Sequence, residues 1–554
     1  MASNISDYLI TDDLTILLGL IGATVFLLRN LYKPQPLVHP ILLGRQSDVA
    51  RVRNPNESAV YRNYGTGLMG RFPLRPAKDV QTTADFVKID SDAPRTLWST
   101  KITNSRLQER ISAFGTGLIR LAGLQPNESN VLLGLNDGLE FLITDLALAS
   151  YSIRSLTLSS LTLMSPVLEA HPLSVIITHA EFVSHILELI YDADGQQQYT
   201  IIVVGEPTSK TLASVSSKVK VLLWSDVERD GTRADKAFAP QPKPSDVYTT
   251  SFFATKDGQV HGAELTHENF TAGVAAVRAL LPLSNTISPL DTIVSSHSLS
   301  TAYGRAIAYT AIYEGTSFAT LDSSKIYVEE DAHFSKDVKD VRSAMRFPIP
   351  PPTILFINPD HLKSLTSSIL GVAKKSWLLF SIAWRHKIAG LTEGFVTKDS
   401  LWDRLLFDTA RARVVDECAG SLRGIVVAGG RLDASELPSA RIALSIPIVN
   451  AYVHPAVTAP VLASHPLDLQ EFPDTADKSA HVGPPSINLE TKLTGVDDAS
   501  VEAGGDPVGL LLVRGPPVGK VVGLSSEAPK LEEDWIATGE QARVQTNGSF
   551  KILS

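Results

Sequence analysis

Short apolar runs of strand length, each followed by a segment of helical periodicity, recur along most of this 554-residue chain, and that alternation limits its fold more than any single residue does. Residues 131–135 read as a strand and 139–150 as the helix after it, while 201–204 and 219–223 are further apolar runs between polar turns. A helix is predicted over 268–281, with strands near 353–357 and 424–428. A parallel crossover needs a dozen or more residues, usually a helix, so strands spaced in this way predict parallel α/β sheets. Past about residue 460 the pattern turns to short strands broken by Gly and Pro, including 509–514. No internal repeat or low-complexity tract interrupts it.

Composition narrows the class of function. With 44% hydrophobic and 20% charged residues the chain is of the folded kind, long enough for more than one core. A net charge of −9, without a basic arm, excludes nucleic acid as a partner, because neutralising phosphates needs a basic face. Cys418 is the only cysteine, which excludes an intrachain disulfide and any cysteine-based zinc site. Its surroundings, VDECAG, read as a helix end rather than an activated nucleophile.

Two apolar stretches bear on membranes. The uncharged run from Leu14 to Leu28 spans about 22 Å as a helix, against about 30 Å of hydrocarbon. Asp7, Asp12 and Asp13 before it disfavour a cleaved signal peptide, and Arg29 and Lys33 after it place the body on the cytoplasmic side. Because the α/β pattern starts only after Pro34, Pro36 and Pro40, residues 1–45 are expected to be a single membrane anchor helix plus linker, with membrane lipid as a partner. The organelle, whether endoplasmic reticulum, peroxisome or outer mitochondrial membrane, is left open. Residues 370–384 are also apolar but interrupted by Lys374 and Lys375, and suit an ordinary amphipathic helix or a membrane-surface contact equally.

One segment carries a chemical signature. Residues 252–270, FFATKDGQVHGAELTHENF, are punctuated by Gly258 and Gly262 and end in Leu265-Thr266-His267-Glu268-Asn269. Glycines at such spacing let backbone N–H groups close on a polyanion, although a plain strand, turn and helix start fits these residues equally well. The segment resembles, without a gap, the pattern Tyr-Thr-Ser-Gly-Thr-Thr-Gly-x-Pro-Lys-Gly-Val-x-Leu-Thr-His-x-Asn of the AMP-forming acyl-CoA synthetases. In that comparison Ala254, Thr255, Lys256 and Asp257 stand where the family has Ser-Gly-Thr-Thr, and Val260-His261 stand where it has Pro-Lys. Hydroxyls are lost to Ala254 and Asp257. Each unit charge pair between Asp257 and a phosphate roughly 4 Å away costs about 4 kcal/mol at an effective dielectric near 20. Lys256 offsets part of this.

Further landmarks follow in the family's order: Ser295-Ser296-His297, a helix from Tyr303 to Gly315 carrying Arg305, Trp402-Asp403, Phe407, Leu422-Arg423, Ala428-Gly429-Gly430, Gly483-Pro484-Pro485, Lys492-Leu493, GLLLVRG at 509–515, and Trp535 with Thr538-Gly539-Glu540. The layout is most similar to that of the long-chain fatty acyl-CoA synthetases. The resemblance implies an α/β fold of two Rossmann-like parallel-sheet subdomains, about 80–245 and 246–460, and a small distorted β-barrel over 461–554, all within a large domain of residues 46–554. Residues 547–552 resemble the last strand before the family's hinge, so the C-terminal lid domain is expected to be absent.

Site roles carried over from the resemblance are degraded. The family's Gly-Tyr-Gly-x-Thr-Glu aligns with 451–456, where only Tyr452 survives as a possible adenine platform. Ala456 takes the place of a Mg²⁺-anchoring carboxylate and supplies no oxygen for a hard cation. Glu540 replaces the ribose-binding Asp, and His297 falls at a possible acyl pocket. No catalytic residue and no metal site is carried over. The expected function is that of an acyl-CoA synthetase-like protein whose ATP-dependent ligation of fatty acid to coenzyme A is lost or severely impaired, leaving fatty acid, acyl-CoA or a partner synthetase as what it binds. An active ligase with a divergent loop, where Lys256 or His261 replaces the usual cation, and a non-catalytic anchored scaffold are the alternatives. No cofactor is expected; ATP with Mg²⁺ and CoA enter only under the active-ligase reading.

Overall fold

The computed structural model describes residues 13–31, 37–67, 70–192, 198–282, 285–328, 334–416, 418–470, 477–524 and 534–553. Lys33, Pro34 and Pro36, used above to bound the N-terminal segment, lie outside them.

Three sheets organise the chain. Five parallel strands, Arg154–Leu158, Asn130–Gly134, Val175–His179, Tyr199–Val204 and Val219–Leu223, run side by side with Val247–Ala254, which pairs parallel to Arg154–Leu158. Val260–Thr266 and Lys520–Gly523 extend this sheet antiparallel at one edge, giving eight strands. Apolar residues cover both faces of the central strands, as buried parallel strands require: Val131, Leu132 and Leu133 are all buried. The second eight-stranded sheet has a parallel centre of Ile448–Val453, Gly424–Val427, Ile354–Ile357, Thr292–Ser295 and Ser317–Thr320, with antiparallel strands at both ends. These are the alternating elements that the sequence pattern predicts.

The third sheet is six-stranded and antiparallel, in the order Ser47–Arg51, Val60–Asn63, Glu490–Thr494, Val508–Arg514, Ile536–Val544, Phe550–Ile552. Its first two strands come from the proline-rich lead rather than from residues after 460. Leu489, Leu493, Leu511, Val513 and Phe550 form its core.

A buried polar node joins the first two sheets. Arg305, on the helix Ala302–Glu314, is fully buried, and its Nη1 meets Asp145 Oδ1 at 3.2 Å and Thr249 Oγ1 at 2.9 Å. Its Nη2 donates to Thr157 Oγ1 at 3.0 Å, its Nε donates to the Leu299 carbonyl, and Tyr309 donates to the other oxygen of Asp145. Burial alone would lower the guanidinium's proton affinity, but Asp145 beside it holds it cationic. The network thus satisfies a charge pair that water cannot reach.

The anchor expectation is corrected. Helix Asp13–Leu31 exists, but no helix among the described residues is long and apolar enough to cross a membrane. Asp13 and Arg29 lie within the helix and bound its uncharged stretch, which falls short of the hydrocarbon thickness. The single spanning anchor, and the lipid contact assigned to Leu14 through Leu28 as a span, are therefore unsupported.

Candidate functional site

A cavity of about 430 Å³ opens at the carboxyl ends of the second sheet's parallel strands, where ligands of open α/β sheets collect. Three strand ends build it. His297 follows Thr292–Ser295, Gly429 to Leu432 follow Gly424–Val427, and Asn450 to Pro455 belong to or follow Ile448–Val453. Gly429 adopts φ +81°, and a Cβ there would stand 3.0 Å from Asn358 Oδ1 and 3.3 Å from the His297 ring, so glycine is needed for the turn to pass the imidazole. Tyr303, Ser159, Ala480, Glu540 and Ile552 complete the wall.

Glu540 and Arg431 bring charge to one side of this space, whereas its histidine and tyrosine groups are neutral. Burial holds the His297 imidazole down to about 3, with the electrostatic influence of His361 and Lys336 adding to the effect, and burial alone takes His454 to about 4. Burial raises the Tyr303 and Tyr452 phenols far above neutral pH. His297 Nε2 and the Tyr303 hydroxyl are buried without a protein hydrogen-bond partner. Their rings stand edge to face, 5.1 Å apart. Two unpaired polar atoms in an otherwise mainly apolar wall call for a ligand or water that completes them.

Behind His297, Asp137 fixes the loop. Its Oδ1 accepts from Ser298 Oγ at 2.9 Å and from the Leu299 N–H at 2.8 Å, while Oδ2 is buried with no partner. Desolvation pushes this carboxyl up to about 6 despite those hydrogen bonds.

The expected nucleotide loop is a closed hairpin. Val247–Ala254 and Val260–Thr266 stay in antiparallel register up to Ala254 opposite Val260, leaving five residues for the turn. Thr255 N–H donates to the Gln259 carbonyl at 2.8 Å and Gly258 N–H to the Thr255 carbonyl at 2.9 Å, with Gly258 at φ +77°. Both N–H groups are thus spent inside the turn. Ala254, Lys256 and Asp257 are exposed. His261 lies on the strand opposite Phe253, and Gly262 packs among Phe252, Thr250 and Val522, where a Cβ would meet each at about 3.0–3.1 Å.

Lys256 does not stand free beside a phosphate position. Its Nζ lies 2.7 Å from Glu540 Oε2, so it occupies the carboxylate that the resemblance assigns to ribose. Arg431 approaches the same oxygen at 4.0 Å. Tyr452, Glu540 and His297 all line this one cavity. Ala456 does not join them: it is fully buried in the core, its N–H facing His454 Nδ1 and its carbonyl accepting from Gly519. The residues present are a poor fit to ATP with Mg²⁺: two of the turn's five N–H groups, those of Thr255 and Gly258, are internally bonded, the Lys256 ammonium is paired, and the position compared with the metal anchor is apolar. Among the described residues no group of three or more His, Cys, Asp or Glu is placed to hold a metal ion.

The Leu-Thr-His-Glu-Asn end of the motif proves to be a helix start. Thr266 Oγ1 accepts from Asn269 N–H while Asn269 Oδ1 accepts from Thr266 N–H, a reciprocal cap for helix His267–Arg278. Asn269 Nδ2 also donates to the carbonyls of Pro516 and Val518, tying the helix to the segment before Lys520–Gly523. Asp137, Tyr303, Arg431 and His454 are the site residues that sequence reasoning missed. Arg431 directly follows the Gly429-Gly430 pair, Tyr303 opens a landmark helix and His454 lies within the aligned segment 451–456, so only Asp137 carried no local signal.

No protein-family model matches the chain. Among curated proteins it is 26% identical over 330 residues to long-chain-fatty-acid–CoA ligase 1 of Homo sapiens, covering 58% of this chain and 43% of that one. It is 24% identical over 532 residues to long chain acyl-CoA synthetase 5 of Arabidopsis thaliana, covering 90% and 74%. The match to the human ligase, like that to ligase 1 of Cavia porcellus at 47%, spans about half of the relative's length. Among solved structures, the anthranilate CoA ligase AuaEII in complex with anthranoyl-AMP superposes with a TM-score of 0.61 at 17% identity, over 87% of this chain and 78% of that one. A long-chain-fatty-acid-CoA ligase, FadD1 from Archaeoglobus fulgidus, gives 0.59 at 13% identity, over 87% and 86%. The three-sheet fold and the collinear sequence similarity agree: the chain is similar in sequence to long-chain acyl-CoA synthetases and shares the fold of CoA ligases of known structure.

Proposed function

We propose that this protein binds a fatty-acyl ligand in the cavity around His297 and Tyr303, and that ATP-dependent activation of that ligand is lost or severely impaired. The observation that carries this reading is the closed hairpin, with Lys256 held on Glu540 and Ala456 buried where an oxygen ligand would be needed. Adenylation rests on donors and cations aimed at developing phosphate charge, and a turn that keeps the Thr255 and Gly258 N–H groups bonded internally, with Lys256 on Glu540, offers few of them. The cavity itself is intact. Its apolar lining suits an alkyl chain, and the neutral His297 and Tyr303 groups suit a carboxyl or carbonyl head.

Pyrophosphate exchange with ATP, Mg²⁺ and palmitate should stay at the protein-free background. Palmitate at a hundred times its dissociation constant should stabilise the protein by about 2.7 kcal/mol, and His297→Leu should remove most of that gain. Exchange above background would establish the active ligase and end the proposal; failure of any long-chain fatty acid or acyl-CoA to raise the melting temperature would end its binding half.

A further inference from the structure

The first two turns of helix Trp377–Thr392 expose a group of apolar side chains to solvent, with Ser381, Arg385 and His386 exposed beside them. Its inward stripe is Phe380, Ala383, Trp384, Lys387 and Leu391, and Lys387 is locked to the buried Asp403, to the Thr397 carbonyl at 2.7 Å and to Ser445 Oγ at 3.0 Å. At 100° per residue the opposite side centres on Leu378, Ile382, Arg385 and Ala389; Trp377 and Leu379 lie about 100° to either side of Leu378, in the first turn. A surface helix normally carries polar residues there. Instead Trp377 is 70% exposed, Leu378 59% and Ile382 53%, and the adjoining Leu401 is 63% exposed. Exposed apolar side chains grouped in this way mark an interaction surface.

Two further observations say what covers it. Residues 370–405 hold six Lys or Arg against three Asp or Glu, in a chain whose net charge is −9. Lys374, Lys375, Arg385 and Arg404 are exposed around the apolar group; of the three acids, Asp403 is buried and already paired with Lys387 and Arg411, while Glu393, at the C-terminal cap of the helix, and Asp399 are exposed. A second chain segment meets the opposite, C-terminal end of the helix. Leu37 N–H donates to the Gly394 carbonyl at 3.2 Å just past the helix, and Leu37, Ile41 and Leu42 are exposed as well.

From this geometry we infer that helix Trp377–Thr392 lies in the plane of an anionic phospholipid surface, with Trp377, Leu378 and Ile382 inserted at the headgroup boundary and Lys374, Lys375 and Arg385 on the phosphates. An apolar face rimmed by Lys and Arg is the pattern of an interfacial helix, which rests on a bilayer without crossing it. This surface is separate from the cavity, so it stands whether or not the cavity binds acyl chains.

The test is co-sedimentation of the full chain with vesicles of phosphatidylcholine alone or with 30% phosphatidylserine. The triple variant Trp377→Ser/Leu378→Ser/Ile382→Ser should lower the partition coefficient on the anionic vesicles at least tenfold, with an unchanged or higher melting temperature because all three side chains are exposed. Lys374→Glu/Lys375→Glu should lower it as well, and 0.5 M salt should weaken binding of the wild type. A second variant, Leu17→Ser/Leu20→Ser on helix Asp13–Leu31, separates the two apolar segments. The inference is overturned if the wild type stays in the supernatant with anionic vesicles, or if only the Leu17/Leu20 variant loses binding. It is also overturned if lipid-free protein forms a dimer that the triple variant abolishes, since the face then belongs to a second copy.

Discussion

Replacing Asp137 by Asn should make the protein more stable at neutral pH and no more stable in acid. The carboxyl is buried, its Oδ2 finds no hydrogen-bond partner, and desolvation lifts it from 3.8 to about 6. An acid whose folded value lies above its unfolded one holds its proton longer in the native state. It is therefore neutral in its effect below about pH 3.8, and it opposes folding increasingly as pH rises from there to about 6. At about 1.36 kcal/mol per pH unit the full penalty above pH 7 is about 3 kcal/mol. Asparagine keeps the acceptor used by Ser298 and Leu299 and turns an amide toward the nearby hydroxyls of Ser324 and Thr320, without a charge to desolvate. With an unfolding entropy near 2.1 cal/mol/K per residue, roughly 1.2 kcal/mol/K for this chain, Asp137→Asn should raise the melting temperature by about 2–3 °C at pH 7.5 and by less than about 1 °C at pH 4.5. Scanning fluorimetry of both proteins at matched ionic strength measures this. An unchanged or lower melting temperature at pH 7.5, or a gain of equal size at both pH values, would refute the reasoning.

Two other expectations follow from the geometry. The Lys256–Glu540 pair joins a largely exposed ammonium to a mostly covered carboxylate, so a double-mutant cycle with Lys256→Ala and Glu540→Gln should give a coupling below about 1 kcal/mol that shrinks in 0.5 M salt; a coupling above about 2 kcal/mol would show that the pair is a structural clamp. Arg305→Met strands the Asp145 carboxylate between two sheets and should cost about 3–5 kcal/mol, partly recovered in the double variant with Asp145→Leu, and a loss under about 1 kcal/mol would show that the node is not what joins them.

Much of the architecture was legible because it follows from periodicity. Apolar strands such as 131–135 and 424–428, each followed by a helix, have one good arrangement, and the predicted helix at 268–281 is observed as His267–Arg278, displaced by one and three residues at its ends. Pairing over long separations was not legible. Nothing in Ser47–Arg51 or Val60–Asn63 announces that they join strands more than 400 residues away, and nothing in Lys520–Gly523 announces that it borders Val260–Thr266. At the site, sequence order placed Tyr452, Glu540 and His297 together, since all three follow from collinear landmarks. It missed what Lys256 does, because a lysine in a glycine-rich turn suggests an anion until its actual partner, Glu540, is seen 284 residues on. The membrane span failed for a plainer reason of length.

The ribbon formed by Val247–Ala254 and Val260–Thr266 is held on both flanks, by Arg154–Leu158 on one side and Lys520–Gly523 on the other. A turn at the tip of such a ribbon inherits its stiffness. Installing Ser, Thr or Lys side chains at 254–261 would decorate that tip without freeing its amides, since those open only if the rungs beneath them separate. Opening this tip to an anion would thus mean loosening the ribbon together with its flanking strands, which makes the hairpin a design target larger than the turn itself.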